Sequence, residues 1–97
     1  MTPTEKLSRI LTEAAAAHLG IPTTRIISKS RETRLVEARW AIWLVMRRHG
    51  LTFCEIADQF WVTNGTIQHG VRRAKSDHGS REKSFRNLIK AITPEKA

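Results

Sequence analysis

The chain predicts an all-α fold: a compact helical bundle with a helix-turn-helix, about five main helices and one short helical turn. Three observations carry that expectation. Apolar residues recur three and four positions apart through each candidate segment, and no stretch makes a convincing strand. Capping signals, a Thr with Glu three positions on and a Gly behind the last periodic residue, fall at segment ends. The connections are short apart from one basic loop. A chain of 97 residues makes one domain, and burying roughly 60–65% of its unfolded surface gives it one modest core. That domain is expected over residues 1–93, with 94–97 as a flexible tail. With 40% hydrophobic and 27% charged residues, the composition is that of a globular chain rather than a disordered one.

The first helix is expected from Pro3 to about Leu19. Thr2 and Glu5 make a capping box, Pro3 suits the first helical position, residues 14–17 are all Ala, and Gly20 stops the helix. Its apolar face reads as Leu7, Ile10, Leu11, Ala14 and either Ala17 or His18. Pro22, Thr23 and Thr24 then lead into one helical turn through Ile26 and Ile27, and residues 28–33 read as an exposed polar and basic loop. The third helix, from about Arg34 to His49, is the central one. Leu35, Ala38, Ile42, Val45 and Met46 form its stripe, Trp40, Trp43 and Leu44 widen it, and so wide a stripe implies burial on more than one side. Gly50 ends that helix, and Thr52 with Glu55 repeats the capping box for a short fourth helix. A fifth is expected from Thr63 or Asn64 to about His78, stopped by Gly79. Ser80 then caps a sixth, with Phe85, Leu88, Ile89 and Ile92 on one face, ending before Pro94.

Residues 51–73 carry the apolar spacing of a helix-turn-helix. Ile56, Ala57 and Phe60 share one face of the fourth helix, Ile67 and Val71 one face of the fifth, and Trp61 to Gly65 form the break. The fifth helix then turns Thr63, Asn64, Gln68, His69 and Arg72 outward, the arrangement that sets polar side chains against base edges in a major groove. Net charge is +8, from 17 Lys and Arg against 9 Asp and Glu. Its placement is uneven: residues 21–50 hold seven basic to two acidic, residues 72–97 eight to three, and residues 51–71 no Lys or Arg. A reading element of low charge between basic arms fits double-stranded DNA, because base edges carry sequence while cations hold phosphates. A basic excess that keeps a small domain in solution, or that favours RNA or anionic lipid, is the plain alternative.

From Ile10 to Ile92 the chain resembles the C-terminal DNA-binding domain of the bacterial chromosomal replication initiator DnaA. Ser28-Lys29-Ser30-Arg31 resembles that family's Ser-Lys-x-Arg basic loop, and Arg39 with the apolar run after it resembles its Arg-Gln-Ile-Ala-Met-Tyr-Leu helix. Leu51 to Phe60 resembles Leu-Ser-x-x-Glu-Ile-Gly-x-x-Phe, and Thr66-Ile67-Gln68-His69 resembles the end of the signature Asp-His-Thr-Thr-Val-x-His. The resemblance implies that Arg31, supported by Lys29, enters a minor groove while the fifth helix reads the major groove. It also sets Thr66 and His69 near DNA and the amides at Thr52 near a phosphate. Lys29, Arg34, Arg72 and Arg73 are expected to hold the backbone; with five or six phosphates neutralised, log affinity falls against log salt at roughly −5. The chain departs from the family at Val62-Thr63-Asn64-Gly65, where the family has Arg-Asp-His-Thr, and Trp61 stands in place of a Gly-Gly turn. The usual initiator box is therefore not its expected target.

Plainer roles stand beside these. Arg31 also reads as a solvated charge, Asn64 as a helix cap, Gln68 as solvated, His69 as packing at the helix junction, and Trp61 as a plug over the core rather than a stacking surface for DNA. Trp40 and Trp43 read as core or partner-facing, which leaves a second function class: an interaction module that binds an ATPase or a replication partner through the Trp-rich helix without binding DNA. Catalysis has the least support. The four His, at 18, 49, 69 and 78, lack metal-ligand spacing, Cys54 reads as a small buried residue, and no Gly-x-x-x-x-Gly-Lys-Ser/Thr loop is present. No cofactor or metal is expected. No apolar run reaches the roughly 20 residues of a membrane span, the first residues lack a signal-peptide core, and a single cysteine suits a reducing compartment, so a cytoplasmic, nucleoid-associated location is expected.

Overall fold

Caps and stripes take shape in a computed structural model of the chain, which describes residues 2–76 and 83–93. Among these are six helices and no strand: α1 Pro3–Leu19, α2 Thr23–Ile26, α3 Thr33–Arg48, α4 Phe53–Phe60, α5 Asn64–Lys75 and α6 Lys83–Ile92. Both expected capping boxes form. The Thr2 hydroxyl accepts from the Glu5 N–H at 3.1 Å while Glu5 accepts from the Thr2 N–H at 3.3 Å, and the Thr52–Glu55 pair closes at 3.1 and 2.9 Å. Gly20 ends α1 in the left-handed region, φ 70°, and donates its N–H to the Ala16 carbonyl at 2.8 Å.

The core is organised around α3. Six consecutive residues, Ala41 to Met46, are no more than 3% exposed, so this stretch is covered on every side rather than along one stripe. Each of the other helices packs on it. Leu11 and Ala15 come from α1, Ile56 and Phe60 from α4, Ile67 and Val71 from α5, and Phe85, Leu88 and Ile92 from α6. The bundle is an all-α globule with a Cα radius of gyration of 12.1 Å, the size expected of a compact chain this long.

One face and one end differ from the sequence reading. The buried side of α1 is Ser8, Leu11, Thr12, Ala15 and Ala16, whereas Ile10 is 45% exposed and Ala17 is exposed. At 100° per residue the helix is turned by about one position from the face that its bulky residues mark. Small side chains there let α1 lie close to its neighbours, and the Thr12 hydroxyl is satisfied by the Ser8 carbonyl at 2.7 Å. Helix α5 stops at Lys75, short of His78. Ser76 leaves the helix with extended backbone, ψ −176°, and its hydroxyl donates to the Arg73 carbonyl at 2.8 Å. Gly79, Ser80 and the tail from Pro94 lie outside the described residues.

Candidate nucleic-acid interface

Helices α4 and α5 meet across a three-residue connection, Trp61 to Thr63, shorter than the break expected through Gly65. Trp61 caps α4 in the left-handed conformation, φ 51° and ψ 46°, a position that glycine fills without strain. Its N–H and that of Val62 both reach the Ala57 carbonyl. The indole does not plug the core: it is 77% exposed, because the left-handed cap points it outward while Val62 packs inward in its place. Thr63, not Asn64, is the N-cap of α5; its hydroxyl accepts from the Thr66 N–H at 3.2 Å and lies 3.0 Å from the Thr66 hydroxyl. Asn64 is released from capping and donates its side-chain N–H to the Cys54 sulfur at 2.9 Å, tying the first turns of α4 and α5 together. Cys54 is exposed rather than buried. About a third of a turn separates it from the line of Ile56, Ala57 and Phe60.

Ile67, Gly70, Val71 and Ala74 form the buried side of α5. Gly70 seats the helix on α3: a Cβ added there would lie 2.6 Å from both Trp40 Cδ1 and Trp43 Cζ3. Trp43 is buried and stacks edge-on against Phe60 at 5.8 Å, and Trp40 is half-buried, so both indoles of α3 belong to the core. The opposite side of α5 is exposed from end to end. Gly65, Gln68, His69 and Arg72 rise along its middle, with Thr66 and Arg73 on the flank toward α3 and Asn64 on the flank toward α4. Gln68 and Arg72 make no hydrogen bond or ion pair among the described residues. His69 touches the Trp40 ring edge-on at 6.2 Å, and the Arg73 guanidinium sits 5.9 Å from the same ring.

The basic loop lies beside this helix. Arg39 of α3 donates through Nε to the Ile26 carbonyl at 2.7 Å and through Nη2 to the Ser30 carbonyl at 2.6 Å, so one planar group pins both ends of the loop. Partial burial pulls its pKa down from the usual arginine value, though a guanidinium stays charged. Lys29 crosses to the helix-turn-helix and donates to the Trp61 carbonyl at 3.0 Å. Arg31 is exposed and unpaired among the described residues. Lys29 and Arg31 share a hollow of about 290 Å³ with Trp43, Val62 and Thr66, which joins the loop to the first turn of α5.

Two expected members stand apart. Arg34 points back to α1, where its guanidinium donates to the Leu19 carbonyl at 3.1 Å beside Phe85 and Leu88; its place on the first turn of α3 turns it away from α5. At Thr52 the amide proposed for an anion is already taken by Glu55, whose carboxylate stands at that helix end. Arg39 has no expected place at the interface, yet an arginine inside an apolar stripe is the kind of residue that ties down a neighbouring backbone.

Comparison with protein-family models, with curated proteins and with solved structures returns no match for this chain. No helix among the described residues is long and apolar enough to cross a membrane.

Proposed function

We propose that the chain is a sequence-preferring double-stranded DNA-binding domain of the replication-initiator type. Helix α5 docks in the major groove, the 28–31 loop reaches the neighbouring minor groove through Arg31, and the activity serves replication initiation or its regulation in the nucleoid. The observation that supports this reading most is the juxtaposition of Lys29 and Arg31 with Thr66 on one hollow, beside an exposed α5 ridge of Gln68, His69 and Arg72. Phosphate contacts come from Lys29, Arg72 and Arg73, and not from Arg34, which lies against Leu19, Phe85 and Leu88 on a side turned away from α5.

The test is an anisotropy titration of a labelled short duplex across a range of salt. The four contacts proposed, Lys29, Arg31, Arg72 and Arg73, correspond to a slope of about −4 rather than −5. Arg31→Ala weakens binding to every duplex, Gln68→Ala removes about 1–3 kcal/mol of preference at one base pair, and Arg34→Ala changes little. Binding insensitive to salt, or equal for all duplexes with parent and Gln68 variant alike, overturns the reading.

A second reading draws on one specific observation. Trp61 and the 41%-exposed Ile27 line one groove with Gln59, which suits a protein partner, an ATPase or another replication protein. That contact runs through the turn rather than through α3, where Trp43 is buried and Trp40 half-buried against α5. The same titration separates the two, because only the first requires micromolar or tighter, salt-sensitive duplex binding.

A further inference from the structure

A separate cationic groove lies on another flank of the bundle. It measures about 780 Å³ and is lined by Arg48 from α3 with Lys83, Arg86, Asn87 and Lys90 from α6. On α6 these cations sit at spacings of three and four, the outer face of the helix, while Phe85, Leu88 and Ile92 hold the inner face in the core. Lys83, Arg86, Lys90 and Arg48 are all exposed. None of them has an ion-pair partner, and no carboxylate lines the groove, among the described residues. Among the described residues, four cations thus converge on one concave strip with no carboxylate beside them. Arg25, by contrast, is matched by Glu32 at 2.8 Å.

The strip does not belong to the α5 surface. On α3, Trp40 and Trp43 face α5, whereas Arg34, Glu37 and Arg48 face α6. At 100° per residue these two sides are about a third of a turn apart. A straight duplex seated along α5 therefore leaves the α6 strip free. Lys83 to Lys90 spans about 10 Å at 1.5 Å per residue, long enough to meet more than one phosphate of a backbone strand. With four cations and a single amide, Asn87, the groove is suited foremost to the charge of a phosphodiester backbone.

We infer that the α6–Arg48 groove is a second, sequence-independent site for duplex DNA, so that one molecule joins two duplex segments. The inference rests on the duplex reading of α5 for its first segment. The test immobilises one duplex, adds protein, and measures capture of a second, labelled duplex, alongside the single-duplex titration. The variants are Lys83→Gln/Arg86→Gln/Lys90→Gln and the milder Lys83→Gln/Lys90→Gln, with circular dichroism confirming that each is folded. The parent captures the second duplex. The triple variant keeps single-duplex affinity within about twofold, loses capture by about tenfold, and its capture responds to salt with a slope shallower by about three; the double variant falls between. A parent that binds one duplex but never captures another overturns the inference, as does undiminished capture by the triple variant, which assigns bridging to self-association. Loss of single-duplex affinity in the triple variant places α6 on the first duplex and overturns it too. Polyglutamate that competes for the groove as well as duplex does would assign it to an acidic protein. If no duplex binds at any salt, the reading of α5 itself has failed, a signature distinct from all of these.

Discussion

Alanine at Gly65 and alanine at Gly70 are the same chemical change on the same helix, and packing gives them opposite signs. At Gly65 a new Cβ meets nothing closer than the Thr63 hydroxyl at 3.8 Å, so only the helix-propensity gain remains, up to about 1 kcal/mol. At Gly70 the Cβ would lie 2.6 Å from two indole ring carbons, one of them on Trp43, which is held rigidly in the core. Overpacking of that kind costs about 1–3 kcal/mol. Subtracting the propensity gain leaves a net loss of up to about 2 kcal/mol, and because that gain is common to both variants they differ by the overpacking cost, roughly 1–3 kcal/mol. For a domain this small, each kcal/mol moves Tm by about 4–8 °C. Thermal unfolding followed by circular dichroism and calorimetry is expected to put Gly70→Ala below the parent by up to about 15 °C and Gly65→Ala a few degrees above it. A Gly70→Ala Tm equal to or above the parent's would refute the close approach of α5 to α3. In the duplex titration both variants bind more weakly, for different reasons. Gly70→Ala lifts the reading helix, and Gly65→Ala puts a methyl on the exposed ridge where a groove has to approach the backbone.

Two other substitutions test the parts that hold the interface. Arg39→Lys keeps the charge but cannot reach both the Ile26 and Ser30 carbonyls; a loss of about 1–2 kcal/mol is expected, with faster amide exchange at Ser30 and Glu32, and unchanged exchange there would count against loop pinning by Arg39. Thr63→Ala removes the acceptor for the Thr66 amide and is expected to cost about 1 kcal/mol, most of it recovered in Thr63→Ser; equal urea midpoints for all three proteins would show that the cap carries no weight.

Most of the fold was legible because it depends on local chemistry. Capping boxes at Thr2 and Thr52, the glycine after Leu19, and the stripe of α3 each act within one or two turns, and each appears where the pattern sets it. What escaped depends on neighbours distant in sequence. The orientation of α1 follows from which side packs most closely, so small Ser8 and Ala15 outweigh bulky Ile10. Spacing alone already turned Cys54 away from Ile56, yet residue type suggested burial; there geometry outweighs hydrophobicity. Residue type sends the large apolar side chain of Trp61 to the core, whereas a left-handed cap fixes its direction before solvation can. At the candidate interface, the nearness of the 28–31 loop to α5 was expected only through the resemblance, since nothing local joins residues so far apart in sequence. The contact is made by long side chains, Arg39 and Lys29, that reach backbone carbonyls elsewhere.

The outward indole of the turn equips this molecule with an optical reporter. Three tryptophans and no tyrosine are present; Trp43 is sealed from water, Trp40 is partly covered, and Trp61 stands in it. Near-ultraviolet emission should accordingly resolve into a blue component that tracks unfolding and a red one from Trp61. Because the carbonyl of Trp61 also holds Lys29, anything that draws that lysine away disturbs the red emitter's surroundings, and occupancy of this corner can be followed without attaching a dye.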